Sequence, residues 1–143
     1  MTSEDRKKHI YGVAELMKQY AIENNLGQRK AEEYYVLGLL HDIGYEFLEP
    51  KDYEALHEKC GGGLLKAQGY KYWKEVYYHG KANCKYRSKA LDVLNWADMH
   101  IDSVGKYVSL DGRLEELSTR YNVPIDELNS KPIVDELKAR GFD

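Results

Sequence analysis

His9, His41, Asp42, His57, His79 and Asp98 are side chains of the kinds that bind metal ions, strung along one short chain. Imidazole and carboxylate together suit divalent Fe, Mn, Co, Ni or Zn, and they leave coordination positions for water and a substrate oxygen. His41 and Asp42 are adjacent in Leu39-Leu40-His41-Asp42-Ile43-Gly44, closing an apolar stretch just before a glycine that lets the chain turn. A His-Asp dipeptide is common, so its weight depends on where the other candidates fall.

They fall where a helix wants apolar residues. His9 lies four residues before Val13 and seven before Leu16, and His41 lies four after Leu37, so each shares an apolar face. Asp98 lies four after Leu94, seven after Leu91 and three before Ile101, in the most apolar stripe of the chain. An ionised carboxylate buried there needs a cation, dense hydrogen bonding or a metal, and the stripe carries no Lys or Arg. A lone histidine on an apolar face is more often a hydrogen-bonded core residue than a ligand. Three such positions together with Asp42 imply a buried metal centre, hence a hydrolase.

His57 and His79 form a second tier with two readings each. His57 precedes Gly61-Gly62-Gly63, which in a helix cost on the order of 1 kcal/mol each against alanine. Either the backbone there passes close to another helix or a bound phosphate, or the helix breaks and His57 lies at the surface. His79, in Tyr77-Tyr78-His79-Gly80, either faces a pocket or caps a helix C-terminus, where the dipole favours a cation. His100, two residues from Asp98, points to another side with Trp96 and Ser103 and reads as a surface residue.

The elements that must position these groups all read as helices. The periodicity predicts helices over about 3–24, 28–40, 50–67, 72–78 and 88–104, with stops at Gly27, Gly69 and Gly105. Two more are expected over about 111–121 and 133–140, bounded by Pro124 and Pro132. No strand alternation, repeat or low-complexity segment is present. The expected fold is an all-α bundle of five core helices (about 3–104) with a C-terminal helical pair (about 105–143). Together these form a single domain over residues 1–143.

Composition narrows the class. Hydrophobic residues make up 43% and charged residues 31% of the 143, and a formal charge of −3 exerts no general pull on nucleic acid. No apolar run approaches the roughly 20 residues that span a bilayer. The charged N-terminus is unlike a signal peptide, so no membrane association is expected and the expected location is cytoplasmic. Cys60 and Cys84 read as reduced structural thiols, and the thirteen tyrosines mostly as packing residues.

The order His9, His41-Asp42, Asp98 resembles the HD-domain superfamily of metal-dependent phosphohydrolases over roughly residues 3–104. The segment Glu54-x-x-His57 followed by Leu64-Leu65, then His79, is similar to members that bind two metals. Among these, cyclic-dinucleotide phosphodiesterases usually carry a second His where Gly80 stands, and their glycine-tyrosine-proline signature is absent here, which argues against that substrate. The resemblance implies that His9, His41, Asp42 and Asp98 hold a first ion. Asp42 would bridge to a second ion on His57 and His79.

The activity so implied is hydrolysis of a small phosphate ester or nucleotide by a metal-activated water. Beside Asp42, the catalytic candidates are Glu54, placed to orient His57, and Glu46, as a proton shuttle. Lys81, Lys85 and Arg87, with Lys89, follow His79; they either receive phosphates at the mouth of the site or form a solvated loop. The alternatives are an HD-type di-iron oxygenase and a nucleotide-binding or regulatory module with a non-catalytic metal site. Beyond the phosphorylated substrate, the partner expected is a second copy, paired through an exposed apolar face.

Overall fold

The computed structural model describes residues 3–143, the side chain of Glu54 excepted. Helix α1 (Ser3–Glu23) sets His9, Val13, Met17 and Ala21 a turn apart on one buried face. Asn25 and Gly27, both at positive φ, reverse the chain into α2 (Gln28–Leu40), which keeps its predicted limits and buries Ala31, Tyr34 and Leu37. The two helices meet backbone to backbone, for a Cβ on Gly38 would stand 2.5 Å from Ala14 Cα.

Short 3-10 turns at Ile43–Phe47 and Pro50–Asp52 lead into α3 (Tyr53–Ala67) and then α4 (Trp73–Tyr78). After an irregular stretch comes α5 (Lys89–His100), whose start is capped by Ser88 Oγ accepting the Leu91 N–H. Helices α6 (Leu110–Tyr121) and α7 (Ser130–Ala139) complete the chain. Seven α-helices are present among the described residues, so the architecture is an all-α bundle. No described helix is long and apolar enough to cross a membrane.

Two apolar layers meet on α5. One gathers Val13, Met17, Leu37, Val76 and Leu94; the other joins Met99 to Leu110, Leu114, Ile133 and Leu137 of α6 and α7. Each such side chain contributes about 1.5–3 kcal/mol on burial. A helix gripped from both sides is therefore a rigid carrier for Asp98.

Four boundaries or placements differ from the sequence expectation. Helix α3 begins at Tyr53, not at residue 50, because Pro50–Asp52 form a separate 3-10 turn. Helix α5 stops at His100, not Val104, because Asp102 Oδ1 accepts the N–H groups of Val104 (3.0 Å) and Lys106 (2.9 Å). That local bond competes with the helix. Helix α7 begins at Ser130, not Ile133, since Pro132 lies in the first turn, where its missing N–H is not needed. His100 is buried instead of exposed. Its Nδ1 lies 2.6 Å from the Val108 carbonyl oxygen and its ring stacks on Tyr107, under the C-terminal segment that covers this side of α5.

Candidate metal centre

His41 is the first residue past α2, and Asp42 leaves helical geometry with φ −106° and ψ 18°. That change of direction turns the Asp42 carboxylate back among imidazoles from four elements. Its Oδ2 lies 3.1 Å from His41 Nε2 and 3.7 Å from His9 Nε2. Its Oδ1 lies 3.5 Å from His79 Nε2 and 3.7 Å from His57 Nε2. Asp98 on α5 brings its Oδ1 to 2.8 Å from His9 Nε2 and 3.5 Å from His41 Nε2. All six sequence candidates are thus brought together.

The other ring nitrogen of each histidine is tied to backbone. Nδ1 lies 3.0 Å from the Asp102 carbonyl oxygen in His9, 2.6 Å from Gly38 in His41, 2.7 Å from Tyr53 in His57 and 2.6 Å from Val76 in His79. A carbonyl only accepts, so each Nδ1 carries the proton. In the neutral ring the Nε2 lone pair then faces the carboxylates. Lone pair against carboxylate oxygen is repulsive unless a cation lies between. His41 is fully buried, and its Nε2 makes no hydrogen bond despite the nearby Asp42 oxygen. Such a buried orphan costs about 1–3 kcal/mol, and a metal ion would satisfy it.

Among the described residues, two groups of donor atoms could hold an ion: His9, His41 and Asp42, and Asp42, His57 and His79, each within 4.8 Å of one another. They share Asp42, whose two oxygens face one imidazole pair each. The donor set, neutral imidazoles with carboxylates, fits a divalent transition ion.

The electrostatics agree. Burial disfavours charge on His41, yet Asp42 and Asp98 together hold its imidazole well above the ordinary value. Burial likewise pushes the carboxyls up, but His41 with His79 and His9 keeps Asp42 well below its usual range, and His41 with His9 does the same for Asp98. These buried carboxylates need a cation beside them, and an imidazolium or a divalent ion can serve.

The glycines explain how α3 comes so near. A Cβ on Gly44 would stand 2.0 Å from the His57 carbonyl oxygen, and one on Gly62 would stand 2.5 Å from Tyr77 Cβ. Gly61 abuts Gly44 N, while Gly63 faces open space. The glycine run therefore serves contact with the 3-10 turn and α4. His57 belongs to the site, held also by the Tyr45 ring stacked on it at 4.4 Å between centroids.

A cavity of about 200 Å³ opens on these groups, lined also by Tyr45, Glu58, Met99, Arg113, Leu117, Arg120 and Tyr121. Several sequence candidates are not there. Lys81 and Arg87 line a separate hollow with Asp92, Glu136 and Arg140, and Lys85 is exposed. The chain turns away after His79, at Gly80 with φ 77°, whose N–H donates to Asn95 Oδ1 at 2.8 Å. The Asn83 N–H then donates to the Glu136 carboxylate, drawing the segment toward α7. Glu46 is exposed on the 3-10 turn and does not line the cavity. The side chain of Glu54 lies outside the described residues.

Glu58 stands beside His57, with Oε1 2.7 Å from His57 Nδ1. The Nδ1–H itself is directed at the Tyr53 carbonyl, so Glu58 Oε1 is close without a hydrogen bond of its own. Burial raises the Glu58 carboxyl, but His57 brings it below the ordinary value overall. The basic groups on the cavity wall come from α6, namely Arg113 and Arg120. Arg113 was findable: it interrupts the stripe Leu110, Leu114, Leu117 as Asp98 interrupts its own.

The sequence model of the HD domain matches residues 6–137. This chain belongs to the HD-domain family. HD domains bind divalent metals and are typically metal-dependent phosphohydrolases, and the His/Asp cluster here is one that could hold a metal. The match continues past α5 across α6 and most of α7. No curated protein and no solved structure matches the chain.

Proposed function

We propose that the protein is a metal-dependent phosphohydrolase acting on a small phosphate ester or nucleotide. One observation carries this: Asp42 directs one oxygen at His9 and His41 and the other at His57 and His79. His9, His41, Asp42 and Asp98 would hold one ion, and Asp42, His57 and His79 a second. A divalent ion held there would lower the pKa of bound water toward neutrality and would offset charge on phosphoryl oxygens.

The chain's own groups set the geometry. Carbonyls of Asp102, Gly38, Tyr53 and Val76 fix the four rings so that Nε2 points inward. Glu58 positions His57 from beside its Nδ1. Arg113 and Arg120 give the wall opposite charge to a phosphate. In the reaction the oxygen of water attacks phosphorus, the bond from phosphorus to the leaving oxygen breaks, and a proton passes to that oxygen.

The test is phosphate release from a panel of phosphomonoesters, nucleotides and diesters with Mn, Fe, Co or Ni. Turnover that is abolished by chelation and by Asp42→Ala is expected. Bound metal with no turnover on any substrate would overturn the assignment. A bridging carboxylate also suits a di-iron oxygenase. The two arginines on the cavity wall favour an anionic substrate instead, and iron-dependent oxygen uptake on organic substrates would reverse that preference.

A further inference from the structure

Helix α6 presents Arg113, Leu117, Arg120 and Tyr121 to the cavity, at offsets of four, seven and eight residues along one helical face. Arg113 is only 6% exposed, and its buried Nε makes no hydrogen bond. Its Nη1 is paired with Glu116 Oε1, while Oε2 of the same carboxylate lies 3.7 Å from Arg120 Nε. One glutamate thus steadies two guanidinium groups and neutralises only one of them.

A second hollow of about 340 Å³ adjoins the first and shares Leu117, Tyr121, Asn129 and Ser130 with it. Its remaining lining is Val123, Leu128 and Glu127, so its floor is largely apolar. A charged end beside the carboxylate-imidazole cluster and an apolar end between α6 and α7 form one continuous, two-part depression.

We infer that α6 and α7 select the substrate: Arg113 receives an oxygen of the phosphoryl group, and the hollow between Leu117 and Val123 takes an apolar or aromatic leaving group. This rests on the phosphohydrolase assignment and names its substrate class, phosphomonoesters of apolar or aromatic alcohols in preference to those of small polar ones. A guanidinium on the cavity wall offers directed donors that match phosphoryl oxygens, which accounts for an arginine in a stripe of leucines.

The test uses the full chain loaded with Mn²⁺. Calorimetry with inorganic phosphate reads the charged end, and the ratio of kcat/KM for phenyl phosphate over glycerol phosphate reads the apolar end. Arg113→Gln is expected to weaken phosphate binding about 10- to 100-fold while Mn²⁺ binding persists. Arg113→Lys, which keeps the charge if the glutamine variant does not fold, is expected to fall between the two. Tyr121→Ala and Val123→Glu are expected to lower the phenyl-to-glycerol ratio by about tenfold.

Phosphate binding unchanged in both Arg113 variants, or absent from the Mn²⁺-loaded wild type, overturns the role of Arg113. A ratio near one in the wild type, or one unmoved by the hollow variants, overturns the leaving-group pocket. Absence of all turnover defeats the phosphohydrolase assignment and with it the leaving-group pocket; phosphate binding that depends on Arg113 would then still support the anion site.

Discussion

The Nε2 atom of His41 lies 3.1 Å from Asp42 Oδ2, between residues adjacent in sequence, yet no hydrogen bond joins them. In the neutral ring the proton sits on Nδ1, committed to the Gly38 carbonyl oxygen at 2.6 Å. Helix geometry therefore decides which nitrogen is offered inward, and the first consequence concerns pH. Burial opposes charge on His41, but Asp42 and Asp98 raise its pKa well above 6.5. In metal-stripped protein that interaction stabilises the fold fully below 6.5 and fades as pH rises through the higher folded value. The lowered carboxyls of Asp42 and Asp98 act oppositely, stabilising fully above 3.8 and losing effect as pH falls through their folded values. Melting of chelator-treated protein should thus be highest between those limits and decline on the alkaline side. Bound metal should remove that decline, and metal affinity should strengthen with pH as the imidazolium proton is displaced. A flat alkaline limb in stripped protein would contradict this.

Gly44→Ala tests the approach of α3. The added methyl would stand 2.0 Å from the His57 carbonyl oxygen, so the helix must move away. We expect a loss of about 1–3 kcal/mol in chemical denaturation and weaker occupancy of the His57–His79 side. Unchanged stability and metal content would show that the turn and α3 do not need this contact.

Glu58→Gln keeps the shape but removes the charge 2.7 Å from His57 Nδ1. Loss of such a supporting group typically costs about 10- to 100-fold in metal affinity, here expected only for the weaker of two binding events in a titration. Equal weakening of both, or of neither, would argue that Glu58 does not position His57.

Lys85→Ala should leave kcat/KM within about twofold, as an exposed substitution away from the cavity normally shifts energies by under about 0.5 kcal/mol. A large fall would return the segment after His79 to the mouth of the site.

Much of the fold and of the metal centre was legible because both rest on local periodicity. Asp98 announces itself as a carboxylate in a run of apolar residues, and Leu37 to His41 continues one inward line. Less was legible where destination depends on how loops pack. Nothing local tells that Gly80 and Asn83 carry the lysines toward α7 and away from the metal cavity. Glu46 and Glu58 both lie within four residues of a metal-binding candidate in sequence, and only the packing of the 3-10 turn and α3 decides that Glu58 lines the cavity and Glu46 does not. His100 was misjudged, and Arg113 passed over, for a shared reason: α6, α7 and the C-terminal segment cover the side of α5 that the first five helices leave open.

Metal content per chain, measured on wild-type protein and on Asp42→Ala reconstituted with Mn²⁺ or Fe²⁺, tests the central claim most directly. Convergence of both imidazole pairs on one carboxylate predicts two equivalents in the wild type and loss of both on removing Asp42. A wild-type chain that binds no divalent ion, or an Asp42→Ala chain that keeps its full complement, would contradict it.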